Sequence, residues 1–188
     1  MIVVALASAA QVWAKAVLPD ACGDDKVRFD VKTKKDQSAP AGPEAGKAQL
    51  VLIEIDGHLT SGFGHATVRF GVDGAWAGAN KGDSYFVLSV PPGEHHLCVN
   101  WEGNREIGVA AFTAEPGKVY YFAAQLTTSG SGGGGIVAPP AMAPNGTWSD
   151  GERVSGTPQI TTFYLRQLTE DDGKYRVKAG NLSTSTPK

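Results

Sequence analysis

An all-β fold, an antiparallel β-sandwich of about seven to nine strands with a Gly/Pro-rich loop insert, is predicted by three observations. Glycine fills 24 of 188 positions and proline 11, and the glycine share is well above the average of about 7%. Such a composition makes many turns and few long helices. Short apolar runs follow a period of two, and turn residues separate them at spacings of roughly 8 to 15 positions. Hydrophobic residues make up 41% and charged residues 19%, with a formal net charge of -2. This is the composition of one globular domain, not of a disordered, coiled-coil or multidomain chain. The 17 Lys and Arg are scattered singly among 19 Asp and Glu, which leaves no basic stripe to track a phosphate backbone and argues against nucleic acid as a partner.

Residues 1–16 (MIVVALASAAQVWAKA) read as an export signal. The uncharged run from Ile2 to Ala14 is shorter than the roughly 20 residues that span a bilayer as a helix, and Ala14-Lys15-Ala16 is an A-x-A cleavage pattern. The mature chain is expected to start at Val17. No Lys or Arg precedes the apolar run, a departure from the usual signal. Direct lipid anchoring at Cys22 is disfavoured by Asp20, which stands where a small or aliphatic residue is wanted. No other run is apolar for 18 residues, so no transmembrane span is expected. The predicted location is secreted or periplasmic.

Cys22 and Cys98 are an even count in a chain read as exported, where thiols become oxidised. In the strand Glu94 to Trp101, alternation puts His95, Leu97, Val99 and Trp101 on one face and Cys98 with His96 and Asn100 on the other. That second face is the more polar one. Cys98 is therefore better explained as an anchor for the N-terminal segment than as a small core residue, and a Cys22 to Cys98 disulfide is predicted.

Residues 17–47 read as an extended segment and spacer, polar and Lys/Pro-rich from Val31 to Lys47. The sandwich domain is assigned to 48–180. Ala48 to Asp56 (AQLVLIEID) has the nearly continuous apolar pattern of a buried strand. Val68, Phe70 and Val72 alternate with Thr67, Arg69 and Gly71 as in a half-buried antiparallel strand, and Asp73-Gly74 supplies the positive φ angles of a tight hairpin leading into Ala75 to Gly78. Ser84 to Val90 is closed by Pro91-Pro92-Gly93 and is expected to pair with Glu94 to Trp101. Glu106 to Ala114 and Lys118 to Leu126 are expected to form the next hairpin around Glu115-Pro116-Gly117. Ile160 to Leu168 is the last strong strand; Glu170 to Gly173 reads as a polar turn before Tyr175 to Lys178, and 181–188 as a tail. Between them, 127–159 is a Gly-, Pro- and Ser-rich insert whose Ile136, Val137, Met142 and Trp148 form a candidate binding loop.

The chemistry-bearing motifs fail on residue types. No Lys-Ser/Thr follows the glycine run 132–135, so it is not a phosphate loop. Ser131 is not a nucleophile elbow, since Ser129 stands where the first glycine of that motif is needed. His95 and His96 face opposite sides of one strand and cannot share a metal, while His58 and His65 flank a glycine-rich loop. Asn145-Gly146-Thr147 and Asn181-Leu182-Ser183 match a glycosylation pattern that is common by chance. Trp76 and Tyr85 are candidate surface aromatics for a ligand groove, although strand aromatics more often serve packing. No catalytic, cofactor or metal residue is assigned, and no cofactor is expected.

Val72 to Cys98 (VDGAWAGANKGDSYFVLSVPPGEHHLC) and Phe112 to Phe122 (FTAEPGKVYYF) resemble an exported bacterial family, the domain of unknown function 2846 group, related to PEGA-like and Ig-like β-sandwiches. The resemblance covers roughly Ala48 to Leu126 and implies an immunoglobulin-like sandwich in the cell envelope without recorded catalysis. The expected role is non-catalytic: binding an unknown envelope protein or glycan, or a structural one. The alternative is a cell-wall glycan-active enzyme with a carboxylate pair drawn from Glu54, Asp56, Asp83, Glu94 and Glu102.

Overall fold

The computed structural model describes residues 22–35, 40–55, 66–103, 107–129 and 160–188. Ten strands and one helix lie among them: β1 (Phe29–Lys34), β2 (Ala48–Ile55), β3 (Thr67–Val72), β4 (Ala75–Lys81), β5 (Ser84–Val90), β6 (Gly93–Trp101), β7 (Ile107–Ala114), β8 (Val119–Ser129), β9 (Ile160–Leu168), α1 (Glu170–Ala179) and β10 (Asn181–Pro187). They form a six-stranded sheet in the order β1-β10-β5-β2-β8-β9 and a four-stranded sheet in the order β4-β3-β6-β7.

Period-two alternation makes the core. In β2, Ala48, Leu50 and Leu52 face the second sheet, as do Phe86 of β5 and Phe122 and Ala124 of β8; Val68, Phe70, Leu97, Val99 and Phe112 meet them from the other side. Phe70 packs edge-on to Phe86 with ring centroids 5.8 Å apart. These side chains leave water together, each contributing about 1.5 to 3 kcal/mol. Residues of opposite parity, Val51, Ile53, Tyr85, Tyr121 and Ala123, form a second apolar cluster on the outer face of the larger sheet, completed by Leu168 and by Val177 of the helix. Both faces of β2 are thus covered, in keeping with its nearly unbroken apolar sequence.

Several expectations change. The Asp73-Gly74 turn is as expected: Val72 pairs with Ala75 across it, and Asp73 and Gly74 have φ of 51° and 87°, as a type I′ turn requires. The other two expected hairpins are not formed. β5 pairs with β2 and β10, whereas β6 pairs with β3 and β7, so Pro91-Pro92 carries the chain from one sheet to the other. Likewise β7 stays with β6 while β8 runs parallel to β2 and antiparallel to β9. The larger sheet is therefore mixed, not purely antiparallel. Turn residues fix where a strand ends; which sheet the next one joins depends on burying both apolar faces.

The expected spacer contains β1, and the expected tail is β10. Pairing orders these two polar strands: β10 runs antiparallel to β1 from Phe29↔Pro187 to Lys34↔Leu182 and parallel to β5 at Asn181↔Ser84. β8 extends to Ser129, so the insert begins later than Thr127. Its Ile136, Val137, Met142 and Trp148 lie outside the described residues, as do residues 1–16 with the expected cleavage site, Asp56, His58 and His65.

The polar turn and short strand expected after Leu168 are a helix. Thr169 is its N-cap: Oγ1 accepts from the Asp172 N–H at 3.2 Å, Glu170, Asp171 and Asp172 fill the first turn, and Arg176 and Lys178 the last, which complements the helix dipole at both ends. Thr-x-x-Asp is a start signal present in the sequence. Gly173, which reads as a turn residue, serves another purpose. It lies against the Tyr121 ring, and a Cβ there would run into that ring, so glycine lets the helix settle on the sheet.

Candidate functional site

Among the described residues, three polar constellations stand out beside the apolar core. The first lies on the outer face of the four-stranded sheet. Cys22 and Cys98 are disulfide-bonded with Cα atoms 5.2 Å apart, and they pack with Ile107, Trp76 and Val109. The bond fastens residues 22–28 across the sheet, and beneath them Arg69 is fully buried. Its guanidinium donates to the Val27 carbonyl at 2.6 Å, to the Asp25 carbonyl at 3.1 Å and to Asn100 Oδ1. It also lies 4.3 Å from the centre of the Trp76 ring, and the Trp76 indole N–H donates to the Asp24 carbonyl at 2.7 Å. Burial lowers the Arg69 pKa, helped by the nearby Arg28 charge and opposed by Asp25. Trp76 is half-buried and clamps this segment. Arg69 and Asn100 share the outer face that alternation assigns them and are direct register partners; their union under the segment is tertiary.

The second constellation is His95 with Asp73. His95 lies on the core-facing side of β6 and is 5% exposed. Nδ1 is 2.6 Å from Asp73 Oδ2 and Nε2 2.8 Å from the Pro91 carbonyl. Asp73 Oδ1 accepts the His96 N–H at 2.8 Å, and the Asp73 N–H donates to the His96 carbonyl at 2.9 Å. Both ring nitrogens face acceptors, so the protonated imidazole is the form that satisfies them. Burial would depress the His95 pKa, but the Pro91 carbonyl and the Asp73 carboxylate outweigh it and raise it. For Asp73, burial is outweighed by the His96 N–H and by His95, and its pKa falls. With both nitrogens engaged, His95 has no free position for general-base work and acts as a lock on the β3–β4 turn.

The pH consequence follows from these directions. A raised histidine contributes stability that is fully present below the ordinary value of 6.5 and is lost as pH rises through the higher folded value. A lowered aspartate contributes stability above 3.8 that is lost on acidification. The pair is therefore strongest between about pH 4 and 6.5. Asp73→Asn, which keeps a residue tolerant of positive φ, is expected to cost about 1 kcal/mol at pH 5.5, the low end for a charge-assisted bond because Asp73 is half in water. The cost shrinks towards pH 9. Paired thermal melts across that range check it; a cost independent of pH refutes the lock.

The third constellation is a cleft of about 140 Å³ at one end of the six-stranded sheet, lined by Ile53, Glu54 and Ile55 from the end of β2, Asp83 and Ser84 at the start of β5, and Tyr175, Arg176, Ala179 and Gly180 from the C-terminal part of α1. Docking of the helix forms it: the Gly180 N–H closes the last turn onto the Arg176 carbonyl at 2.8 Å, and the Asn181 N–H then bonds the Asp83 carbonyl at 3.0 Å. Glu54 is 7% exposed, whereas Tyr175 is 68% exposed. Of the candidate carboxylates, Glu54 and Asp83 belong to residues of this wall, but alternation turns the Glu54 side chain with Leu50 and Leu52 to the inner face of the sheet, opposite Ile53 and the helix. Glu94 is exposed and 3.5 Å from His96, and Glu102 accepts the Phe29 N–H at 2.7 Å. Tyr85 is not a surface aromatic: at 2% exposure it belongs to the apolar cluster under the helix, because β10 and α1 cover the strand face it occupies. Tyr175 and Arg176 escaped the sequence reading because their helix did.

Among the described residues, no group of three or more His, Cys, Asp or Glu is arranged to hold a metal, and no helix is long and apolar enough to cross a membrane. Comparison with protein families, with curated proteins and with solved structures finds no match.

Proposed function

We propose that this chain is a secreted or periplasmic β-sandwich module of immunoglobulin-like build, exported by its first 16 residues, that serves the cell envelope by binding a protein or glycan without catalysis. The observation that carries the reading is the Cys22–Cys98 bond. Disulfides persist in oxidising compartments outside the cytosol, and this one holds the segment that would follow an export signal. The end-of-sheet cleft is the concave polar site offered for binding. At about 140 Å³ it is smaller than the roughly 300 to 1,000 Å³ of drug-sized pockets, which suits one side chain or one sugar substituent.

The intact mass of protein taken from its native envelope, before and after reduction, tests the reading. A chain starting at Val17 and lighter by two hydrogens until reduced is expected; a full-length chain with free thiols overturns it. A second reading, a cell-wall glycan hydrolase, draws its carboxylates from residues of the cleft wall, which include Glu54 and Asp83. Such enzymes hold their carboxyl groups about 5 to 10 Å apart. Release of soluble sugar from purified envelope glycan, abolished in both Glu54→Gln and Asp83→Asn, decides for it.

A further inference from the structure

We propose that the free edge of β7 is the surface through which two copies of this chain associate, β7 of one pairing antiparallel with β7 of the other about a twofold axis, so that their four-stranded sheets become one continuous sheet. The inference goes beyond the envelope reading and does not rest on it. β7 (Ile107–Ala114) ends the four-stranded sheet and, among the described residues, pairs with β6 alone. The direction of its main-chain groups follows from the neighbouring strands. The Asp73 N–H donates to the His96 carbonyl at 2.9 Å and the Glu102 N–H to the Thr67 carbonyl at 3.0 Å, so residues of even number along β6 turn their main chain to β3 and those of odd number turn theirs to β7. The partners of the latter on β7 are Gly108, Ala110, Phe112 and Ala114. This leaves the N–H and C=O groups of Ile107, Val109, Ala111 and Thr113 pointing away from the sheet as a row of open donors and acceptors.

Such a row is a template for another strand, and native edges are normally blunted by charge, proline or a bulge. The other sheet edges are blunted in these ways. β1 carries Asp30, Lys32 and Lys34, the β3–β4 register shifts between Phe70 and Gly71 and β4 ends on Lys81, and β9 carries Arg166. β7, IGVAAFTA, has neither a charge nor a proline in its 8 residues. The side chains beside the open row do not shield it, since Val109 is half-buried and Ala111 and Thr113 are small and exposed.

The occupant is a second copy because the edge complements itself. In an antiparallel pair centred on Ala110, Ile107 meets Thr113 of the second copy and Val109 meets its Ala111. These are the residues whose main chains face outward, so each such pair exchanges both of its hydrogen bonds. A pairing centred on Val109 would leave Thr113 without a place in the row. On the inner side of the sheet, Phe112 falls opposite Gly108 of the second copy and Ala110 opposite Ala110. Each large side chain thus meets a small one, and no charge is set against a like charge or taken out of water. A foreign peptide would instead be recognised through pockets for its alternate side chains, and the small side chains of Ala111 and Thr113 give this edge little relief from which to build them.

The light-scattering mass of the purified, oxidised protein over a range of concentrations tests the proposal, together with amide hydrogen exchange. A mass rising to twice that of one chain is expected, with the amides of Ile107, Val109, Ala111 and Thr113 protected in the associated form and exchanging freely on dilution. Ala111→Pro removes an outward N–H and no β6–β7 bond, whereas Ala111→Lys sets a charge beside the same edge. Each is expected to weaken association at least about tenfold. The lysine variant changes an exposed side chain and leaves the main chain as it is, so it keeps the test decisive should proline disturb β7. A single-chain mass at every concentration up to about 1 mM overturns the proposal, and protected β7 amides in that form would mean that another segment covers the edge. A doubled mass that survives both substitutions places the association elsewhere and overturns it as well.

Discussion

Cys22→Ser lowers the stability of the oxidised protein by about 4 kcal/mol, the value for opening a loop of this length in the unfolded-chain entropy account. The bonded residues are 76 positions apart. For a chain of this size that corresponds to a fall in Tm of about 10 °C. Cys22 is the better site to change, because Cys98 is fully buried in β6 and a serine there adds the cost of a buried hydroxyl. The loss extends beyond loop entropy. Without the bond, residues 22–28 are held by the Arg69 and Trp76 hydrogen bonds and by the Lys188 N–H, which donates to the Arg28 carbonyl at 3.0 Å. Reduction of the unmodified protein should lower its Tm by a similar amount. Calorimetry under oxidising and reducing conditions checks both, and an unchanged Tm in Cys22→Ser would refute the staple.

Arg69→Met lowers stability by about 3 kcal/mol. Methionine keeps much of the volume, so the cost comes from the acceptors. The Val27 and Asp25 carbonyls and Asn100 Oδ1 lose the donor that meets them under the segment, and a buried acceptor stripped of its partner costs about 1 to 3 kcal/mol. Arg69→Lys keeps the charge but not the fork that reaches acceptors on two sides, and it recovers less than half of the loss. Because both substitutions act on residues 22–28, their effects are not additive. Once the disulfide is gone the segment is partly released, and the arginine has less to hold. Urea unfolding of the four proteins in the cycle is expected to give a double-variant loss at least 1 kcal/mol smaller than the sum. Simple additivity would mean that the bond and the arginine stabilise separate parts of the molecule.

Some elements could be read directly from the residues and others could not. β2, β3 and the Asp73-Gly74 turn were legible because each is specified within a few positions: an apolar run, a period of two, a dipeptide that accepts positive φ. The disulfide was legible because alternation put Cys98 on a face where a small apolar residue had no other purpose. The helix was missed although Thr169 and Asp172 signalled its start, since Gly173 reads as a turn until the Tyr121 ring beside it is known. β1 and β10 were missed for a related reason. FDVKTK and NLSTSTP bury little apolar surface, and their order comes from hydrogen bonds to one another and to β5. The candidate cleft was legible by half: Glu54 and Asp83 stood out at strand ends, whereas Tyr175 and Arg176 reach the cleft only through the docked helix.

The residues alone determine that this is a two-faced β protein, where its strongest strands begin and end, and which cysteines join, because alternation, turn chemistry and cysteine count act locally or by simple elimination. Only the tertiary structure decides that consecutive strands change sheets at Pro91-Pro92 and at Glu115-Pro116-Gly117, that β2 and β8 run parallel, and that Asp83, Tyr175 and Arg176 line one cleft. Those outcomes depend on burying both faces of the larger sheet at once, a condition on the whole chain that no short stretch of sequence contains.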